Sequence, residues 1–357
     1  MKVLNLGYPE QMLMALLRSV LHQREVETAC FQQATEEDWV KCFKLAVHQG
    51  VSALAWEGIG RIPAKYAPPL NVKISWALRE KEQLGEYIKQ CKAINALTKL
   101  LAQNGIGVIV LKGVGLSRLY PVPAHRESGD IDIYTYSADR TVMTDEQANR
   151  LADEILLKEG AVMDETFFKK HSKIGLYGVT FENHRMFLHI DECKSIAIAE
   201  QWLQKHLETQ TVELVNGKLK IEVPTVNFDS VFVSLHAAQH YGEGLSLKHL
   251  CDLVLLMQQK EFSLPDELDN KHIRQSIATL TQLCNQYLGL SVTVNAEVRK
   301  LATRMMQEIL YPPHYGNSAI SQLQNRIHIF RQKHKLLGVS FWGKLGGWMA
   351  RKVKWEN

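Results

Sequence analysis

The chain has no apolar run approaching the roughly 20 residues that cross a bilayer, which excludes an ordinary helical membrane span. Cysteine is sparse and scattered. The six (Cys30, Cys42, Cys91, Cys193, Cys251 and Cys284) form no CxxC pair, so they fit buried thiols in a reducing compartment better than a disulfide or zinc framework. Excess charge of one sign is also lacking. A formal net charge of +4 over 357 residues is too mild to argue for nucleic acid by composition. The opening MKVLNLGYPEQ lacks the apolar stretch and small-residue cleavage site of a signal peptide, and a cytoplasmic location is expected. Internal repeats and low-complexity segments are missing too. What remains is globular: 46% hydrophobic and 22% charged residues, enough chain for two or three domains.

Helical spacing runs through residues 9–22 and 35–49, the second opened by Thr35 ahead of Glu36, Glu37 and Asp38. After Pro63, Pro68 and Pro69 a long helix is predicted from Val72 to Asn104, stopped by Gly105. IGVIVL (106–111) reads as a buried strand, Gly113 to Tyr120 as a short helix, and PVPAHRESG as loop. A strand with alternating Asp130, Ile131, Asp132 and Ile133 follows, then a helix over 144–160. Three more strands are expected at AVMDETFF, GLYGVTF and RMFLHID, with FENHR as the turn between the last two. KKHSK (169–173) reads as a solvated turn. From about Val226 onward the periodicity is helical.

The chemistry concentrates in LKGVGLSRLYPVPAHRESGDIDIY (111–134). Period-2 alternation turns Asp130 and Asp132 to one face, where like charges repel unless a cation lies between them. Carboxylates suit Mg²⁺ (or Mn²⁺), ions that also bind substrate phosphates. Upstream, a strand leads into a glycine turn whose backbone N–H groups can hold phosphate. A phosphate cradle beside a divalent-metal carboxylate pair is what nucleotidyl transfer requires. The competing reading is a solvent-facing edge strand with alternating acids.

Together these residues resemble the motif of a large bacterial nucleotidyltransferase-like family, mostly uncharacterised, within the DNA-polymerase-β-like nucleotidyltransferase superfamily. HAAQHYGEGLSLKHLCDLVLLM (236–257) is similar to that family's downstream helical His, His, Leu and Asp motif, and the resemblance spans Thr98 to Gln258. It implies an α+β fold, a small mixed β-sheet core flanked by N-terminal and C-terminal helical regions, divided at 1–97, 98–225 and 226–357. It also implies that Asp130 and Asp132 hold metal and that Gly113 and Gly115 shape a turn open to phosphate. Lys112 would neutralise phosphate charge, and Arg126 would contact phosphate or brace the strand. Arg126 beside Glu127 also fits a plain surface ion pair.

The superfamily adds a third acid on a neighbouring strand, expected here on RMFLHIDEC. In the family an acid often stands two residues before that strand's histidine; Phe187 occupies the place before His189. Asp191, two residues after His189 and so on the same strand face, is the substitute expected to complete the metal site and accept the acceptor's proton. His189 would line the nucleotide pocket or orient Asp191.

His236 and His240 have the i, i+4 spacing of zinc ligands, but HAAQH lacks the glutamate of HExxH. They are expected to pack against the active-site sheet and to support it from behind, with Asp252 orienting the helices. The tail FWGKLGGWMARKVKWEN mixes Trp342, Trp348 and Trp355 with cations, and a packed terminal helix is favoured over a membrane or nucleic-acid contact. The expected activity is metal-dependent transfer of a nucleoside monophosphate from a nucleoside triphosphate to an acceptor, a small molecule or sugar phosphate before nucleic acid. The alternative is a catalytically degenerate protein that binds a nucleotide or partner without turnover.

Overall fold

In the computed structural model residues 5–164, 170–190, 193–259, 264–313 and 319–340 are described. They form two compact units. One comprises Leu6–Phe187 and Leu207–Asp229; the other is built from Asn5, Leu188–His206 and the described chain from Ser230 on.

The first unit opens with three helices, α1 (Tyr8–Leu21), α2 (Glu36–His48) and α3 (Ser52–Ile59), followed by the long α4 (Leu70–Ala102). Thr35 caps α2 as expected, its side chain accepting from the Asp38 amide while the Asp38 carboxylate accepts from the Thr35 amide. Gly105, at φ +70°, turns the chain out of α4 into β1 (Ile106–Val110). A 3-10 turn over Gly113–Leu119 and a loop lead to β2 (Ile131–Ser137), and then α5 (Asp145–Lys158) is capped by Thr144.

Five strands follow: β3 (Val162–Asp164), β4 (His171–Leu176), β5 (Val179–His184), and, after α6 (Lys194–Lys205) of the other unit, β6 (Thr209–Leu214) and β7 (Leu219–Pro224). The seven strands form one mixed sheet in the order β3-β4-β5-β2-β1-β7-β6. The pairs β2–β5 and β1–β7 are parallel and the rest antiparallel. The fold is α+β, with a mixed sheet flanked by helices.

Alternation along the strands decides what each face does. Val108, Val110, Ile131, Ile133, Ile174 and Phe181 point to one face and pack against Ile94, Leu97 and Leu101 of α4 and Ala148, Ala152 and Leu156 of α5. Burying each large aliphatic side chain there contributes about 1.5–3 kcal/mol. The opposite face carries the polar residues.

Three expectations are corrected. RMFLHID is not a strand over its described part, 185–190; the strand is FENH, within β5, and the hairpin turn lies earlier, at Tyr177-Gly178. Both of those residues have positive φ (54° and 73°), as a two-residue type I′ turn requires. KKHSK is no solvated turn over its described part. Lys170, His171 and Ser172 are buried, and His171–Leu176 is β4. Third, β6 and β7 went unrecognised in the sequence. The tail from residue 341 lies outside the described residues.

The second unit is helical. It contains α6, most of α7 (Val226–Gln239), α8 (Leu247–Gln259), α9 (Lys271–Leu288), α10 (Arg299–Leu310) and α11 (Ala319–Leu337), in line with the periodicity after Val226. No described helix is long and apolar enough to cross a membrane.

One buried ion pair closes the first unit. Arg118, in the 3-10 turn, donates to the Asp229 carboxylate at 2.8 Å and to the Pro224 carbonyl at 3.2 Å, with the Arg118 and Asp229 side chains 9% and 1% exposed. Truncating Arg118 removes the guanidinium from a buried carboxylate. Arg118→Ala is expected to cost roughly 3–5 kcal/mol of unfolding free energy in a guanidinium titration, and a loss under about 1 kcal/mol would show that Asp229 is not held as a buried charge.

Candidate active site

Register builds this site. Across β4, β5 and β2, Lys173 lies opposite Glu182 and Glu182 opposite Asp132, so the three share one row on one face. Two residues along, His171 lies opposite His184, and His184 opposite Tyr134, on that same face. Asp130 immediately precedes β2.

Glu182 and its surroundings were missed in the sequence because FENHR was read as a turn. The signal was present. An acid two residues before a histidine, the spacing expected of the third acid, occurs at Glu182 and His184. Asn183 between them is polar yet fully buried, which a turn reading cannot accommodate. It faces the other side, accepting from Thr135 Oγ1 (3.0 Å) and Asn149 Nδ2 (2.9 Å) and donating to Asp153 Oδ1 (2.8 Å). Those bonds offset the cost of burying an amide.

Each acid has a basic side chain close by. Lys112 Nζ lies 2.8 Å from Asp132 Oδ1, and His184 Nε2 lies 2.9 Å from the same oxygen. Lys173 Nζ lies 3.0 Å from Asp130 Oδ2. Glu182 has His171 Nε2 at 3.5 Å and His184 Nε2 at 3.7 Å. Burial opposes charge on Asp132, but the Lys112 ammonium and the His184 ring outweigh it and hold the carboxyl well below the usual range. Burial opposes charge on Glu182 as well; His184 overcomes it and the net direction is downward. Burial and the nearby His184 ring push His171 down to about 4. The Lys173 ammonium is raised by its bond to Asp130.

The glycine turn sits where the sequence placed it. Gly113 adopts φ +52°, and a Cβ there would lie 2.5 Å from Ser128 Oγ. At Gly115 a Cβ would lie 2.6 Å from the Val110 carbonyl oxygen. A side chain at Gly115 would force the turn off β1, and one at Gly113 would be strained by the left-handed backbone and crowd Ser128. Arg126 lies beside Gly113, buried, and donates to the Glu127 carbonyl at 3.0 Å. The surface ion pair considered for Arg126 and Glu127 is not formed: the Glu127 carboxylate instead accepts from Ser52 Oγ (2.6 Å) and Arg79 (3.2 Å).

Behind this loop, α4 fixes the acids. Gln90 Nε2 donates to the carbonyls of Ser128 (3.2 Å) and Gly129 (2.7 Å), the two residues ahead of Asp130. Gln83 reaches the carbonyls of Ala124 and Arg126 at 3.4 and 3.5 Å. The loop's backbone is thereby satisfied by side chains of one helix.

The structure thus brings Asp130, Asp132, Lys112, Gly113, Gly115 and Arg126 together and adds Glu182, Lys173, His171 and His184. Asp191 lies outside the described residues. Phe187 is a core residue, stacked on Tyr134 (5.3 Å) and edge-on to Phe228 (5.0 Å). The remaining expected residues belong to the helical unit. There the His189 backbone is bonded in both directions to the Gln239 side chain (3.2 and 3.1 Å). His236 Nε2 meets His240 Nε2 at 2.9 Å, His240 stacks on His249, and Asp252 is buried in α8.

A sequence profile for a family described as uncharacterised nucleotidyltransferases matches residues 35–293, most of the chain. This chain belongs to that family. Among solved structures, an antigenic nucleotidyltransferase-like protein from Paracoccidioides brasiliensis is similar at 15% identity, with a TM-score of 0.39 over 58% of this chain and 94% of that one. A search of curated proteins finds no match. The region matched to the uncharacterised nucleotidyltransferases contains the whole polar face of the sheet, from Lys112 to His184.

The Lys112–Asp132 pair makes this face pH-sensitive. A carboxyl held below its unfolded value contributes stability above that value and loses it as pH falls. Lys112→Met removes one of the two groups that hold it there. The variant is expected to be about 1–3 kcal/mol less stable than wild type at neutral pH, with the gap closing as pH falls below about 4. Denaturation curves across that range check both the size and the sign.

Proposed function

We propose that the chain is a metal-dependent nucleotidyltransferase that moves a nucleoside monophosphate from a nucleoside triphosphate to a small-molecule or sugar-phosphate acceptor. One observation carries this reading: Asp130, Asp132 and Glu182 converge on one sheet face beside a glycine turn and a lysine. Family membership supports nucleotide binding.

The residues fit a hard divalent ion. Three carboxylates face two lysine ammonium groups, so negative charge remains for a further cation, and oxygen donors are what Mg²⁺ (or Mn²⁺) takes. Asp130, Asp132 and Glu182 would hold it. When bound, the ion supplies charge neutralisation at the α-phosphate and the departing pyrophosphate.

The protein's own groups do the rest. Gly113 leaves the turn free of side chain where phosphate approaches the backbone. Lys112, already 2.8 Å from Asp132, carries the positive charge that a polyphosphate needs nearby. Arg126 braces the loop beside Gly113 and keeps the turn in register with β2. Glu182 accepts the proton of the acceptor hydroxyl as its oxygen bonds to the α-phosphorus and pyrophosphate leaves. Holding the partners in line on a rigid sheet contributes through lost bimolecular entropy. The degenerate reading drew on Phe187 standing at the third-acid position; Glu182, two residues before His184, favours turnover instead.

Incubation of the full chain with each α-labelled nucleoside triphosphate, Mg²⁺ and a panel of acceptors tests the proposal. The Asp130→Asn, Asp132→Asn double variant and Glu182→Gln are each expected to reduce transfer at least 100-fold, with circular dichroism unchanged. Transfer at wild-type rate by either variant would overturn the assignment.

A further inference from the structure

The histidines of the polar face have no part in the transfer step, yet their placement is specific. His171 and His184 face each other across β4 and β5, and Glu182 lies two residues from His184 on the same face. One ligand atom from each lies within 4.8 Å of the others. Four-coordinate sites with nitrogen and oxygen ligands have bonds of about 2.0–2.2 Å, which places neighbouring ligand atoms roughly 3.4 Å apart. Glu182 Oε1 lies 3.5 Å from His171 Nε2 and Glu182 Oε2 lies 3.7 Å from His184 Nε2, so the carboxylate spans the two rings, one oxygen near each.

Hydrogen bonding fixes which nitrogen of His184 is offered. Its Nδ1 lies 3.1 Å from the Met186 carbonyl, which can only accept, so Nδ1 carries a proton. The other nitrogen, Nε2, then points at Asp132 Oδ1, 2.9 Å away. A lone pair aimed at a carboxylate needs a cation between them, either a second proton or a metal ion. A carbonyl bonded to the far nitrogen of a ligating histidine is the usual means of orienting it.

We infer that His171, Glu182 and His184, with Asp132 at the fourth position, form a binding site for a divalent transition ion of the Mn²⁺, Co²⁺ and Zn²⁺ class. Imidazole ligands suit that class, whereas Mg²⁺ prefers oxygen and retained water. The site goes beyond the transfer reading. It shares Glu182 and Asp132 with that reading but requires neither a nucleotide nor turnover. Binding replaces any second proton on His184 Nε2, which leaves to solvent.

The test uses the full chain, stripped with a chelator and titrated with Co²⁺. One equivalent is expected to bind with the intense visible bands of four- or five-coordinate cobalt. Zn²⁺ should displace it, and a hundredfold excess of Mg²⁺ should not. His171→Ala and the closer-sized His171→Asn are each expected to weaken Co²⁺ binding at least tenfold, with circular dichroism unchanged. Asp130→Asn, outside the ligand set, should keep the cobalt spectrum even while transfer is lost, so the two readings can fail separately. Weak six-coordinate bands, equal competition by Mg²⁺, or unchanged affinity in both His171 variants would each overturn the site.

Discussion

Three carboxylates on one face of one sheet cannot coexist without positive charge, and much of the first unit is arranged around that constraint. Asp132 is mostly buried, and its ionised form persists because Lys112 and His184 close on a single oxygen. Burial alone would neutralise it. Lys112 reaches it from the start of the glycine turn, and His184 from the end of the adjacent parallel strand. The same electrostatic demand accounts for Lys173 at Asp130, and the His184 ring acts on Glu182 as well. The polar cluster is therefore more than a group of ligands on a scaffold. The sheet's register is what brings its opposite charges together.

The two faces of β5 show how strand alternation divides the work. Phe181 enters the apolar core and Asn183 a dry hydrogen-bond network with Thr135, Asn149 and Asp153. Glu182 and His184 emerge on the other side. A slip of one residue would bury Glu182 among aliphatic side chains and expose Phe181, so both faces oppose it. Asn183 has a second use: its amide fits only one set of partners, which pins the strand carrying Glu182.

Much of this was legible in the sequence. Asp130, Asp132, Lys112 and the glycine turn stand in one short stretch, with a strand pattern on either side and few competing readings. The helices were legible too, because α2 and α5 carry capping boxes at Thr35 and Thr144 and α4 ends at a glycine. The partners on β4 and β5 were not. Their strands alternate apolar and polar residues on both buried faces, so KKHSK and FENHR look like solvent-facing turns. Only tertiary pairing reveals that Asn183 and Ser172 are satisfied inside. Lys173 could not be matched to Asp130 from a separation of 43 positions. The family spacing, an acid two residues before a histidine, falls at Glu182 and His184 in β5, one segment before Phe187 and His189.

The clamp of Gln90 on the carbonyls of Ser128 and Gly129 ties the acids to a helix that begins nearly 60 residues earlier, at Leu70. Each residue advances an α-helix by about 1.5 Å, so an axial slip of α4 by a single step would break both bonds together. The helix is in effect a datum line. Trp76, which donates to the Ser52 carbonyl, and Arg79, which grips Glu127, fasten that line to α3 and to the loop ahead of β2. The N-terminal bundle thereby sets the zero from which the acids are measured, and a sheet excised without it would lose that calibration before it lost its strands.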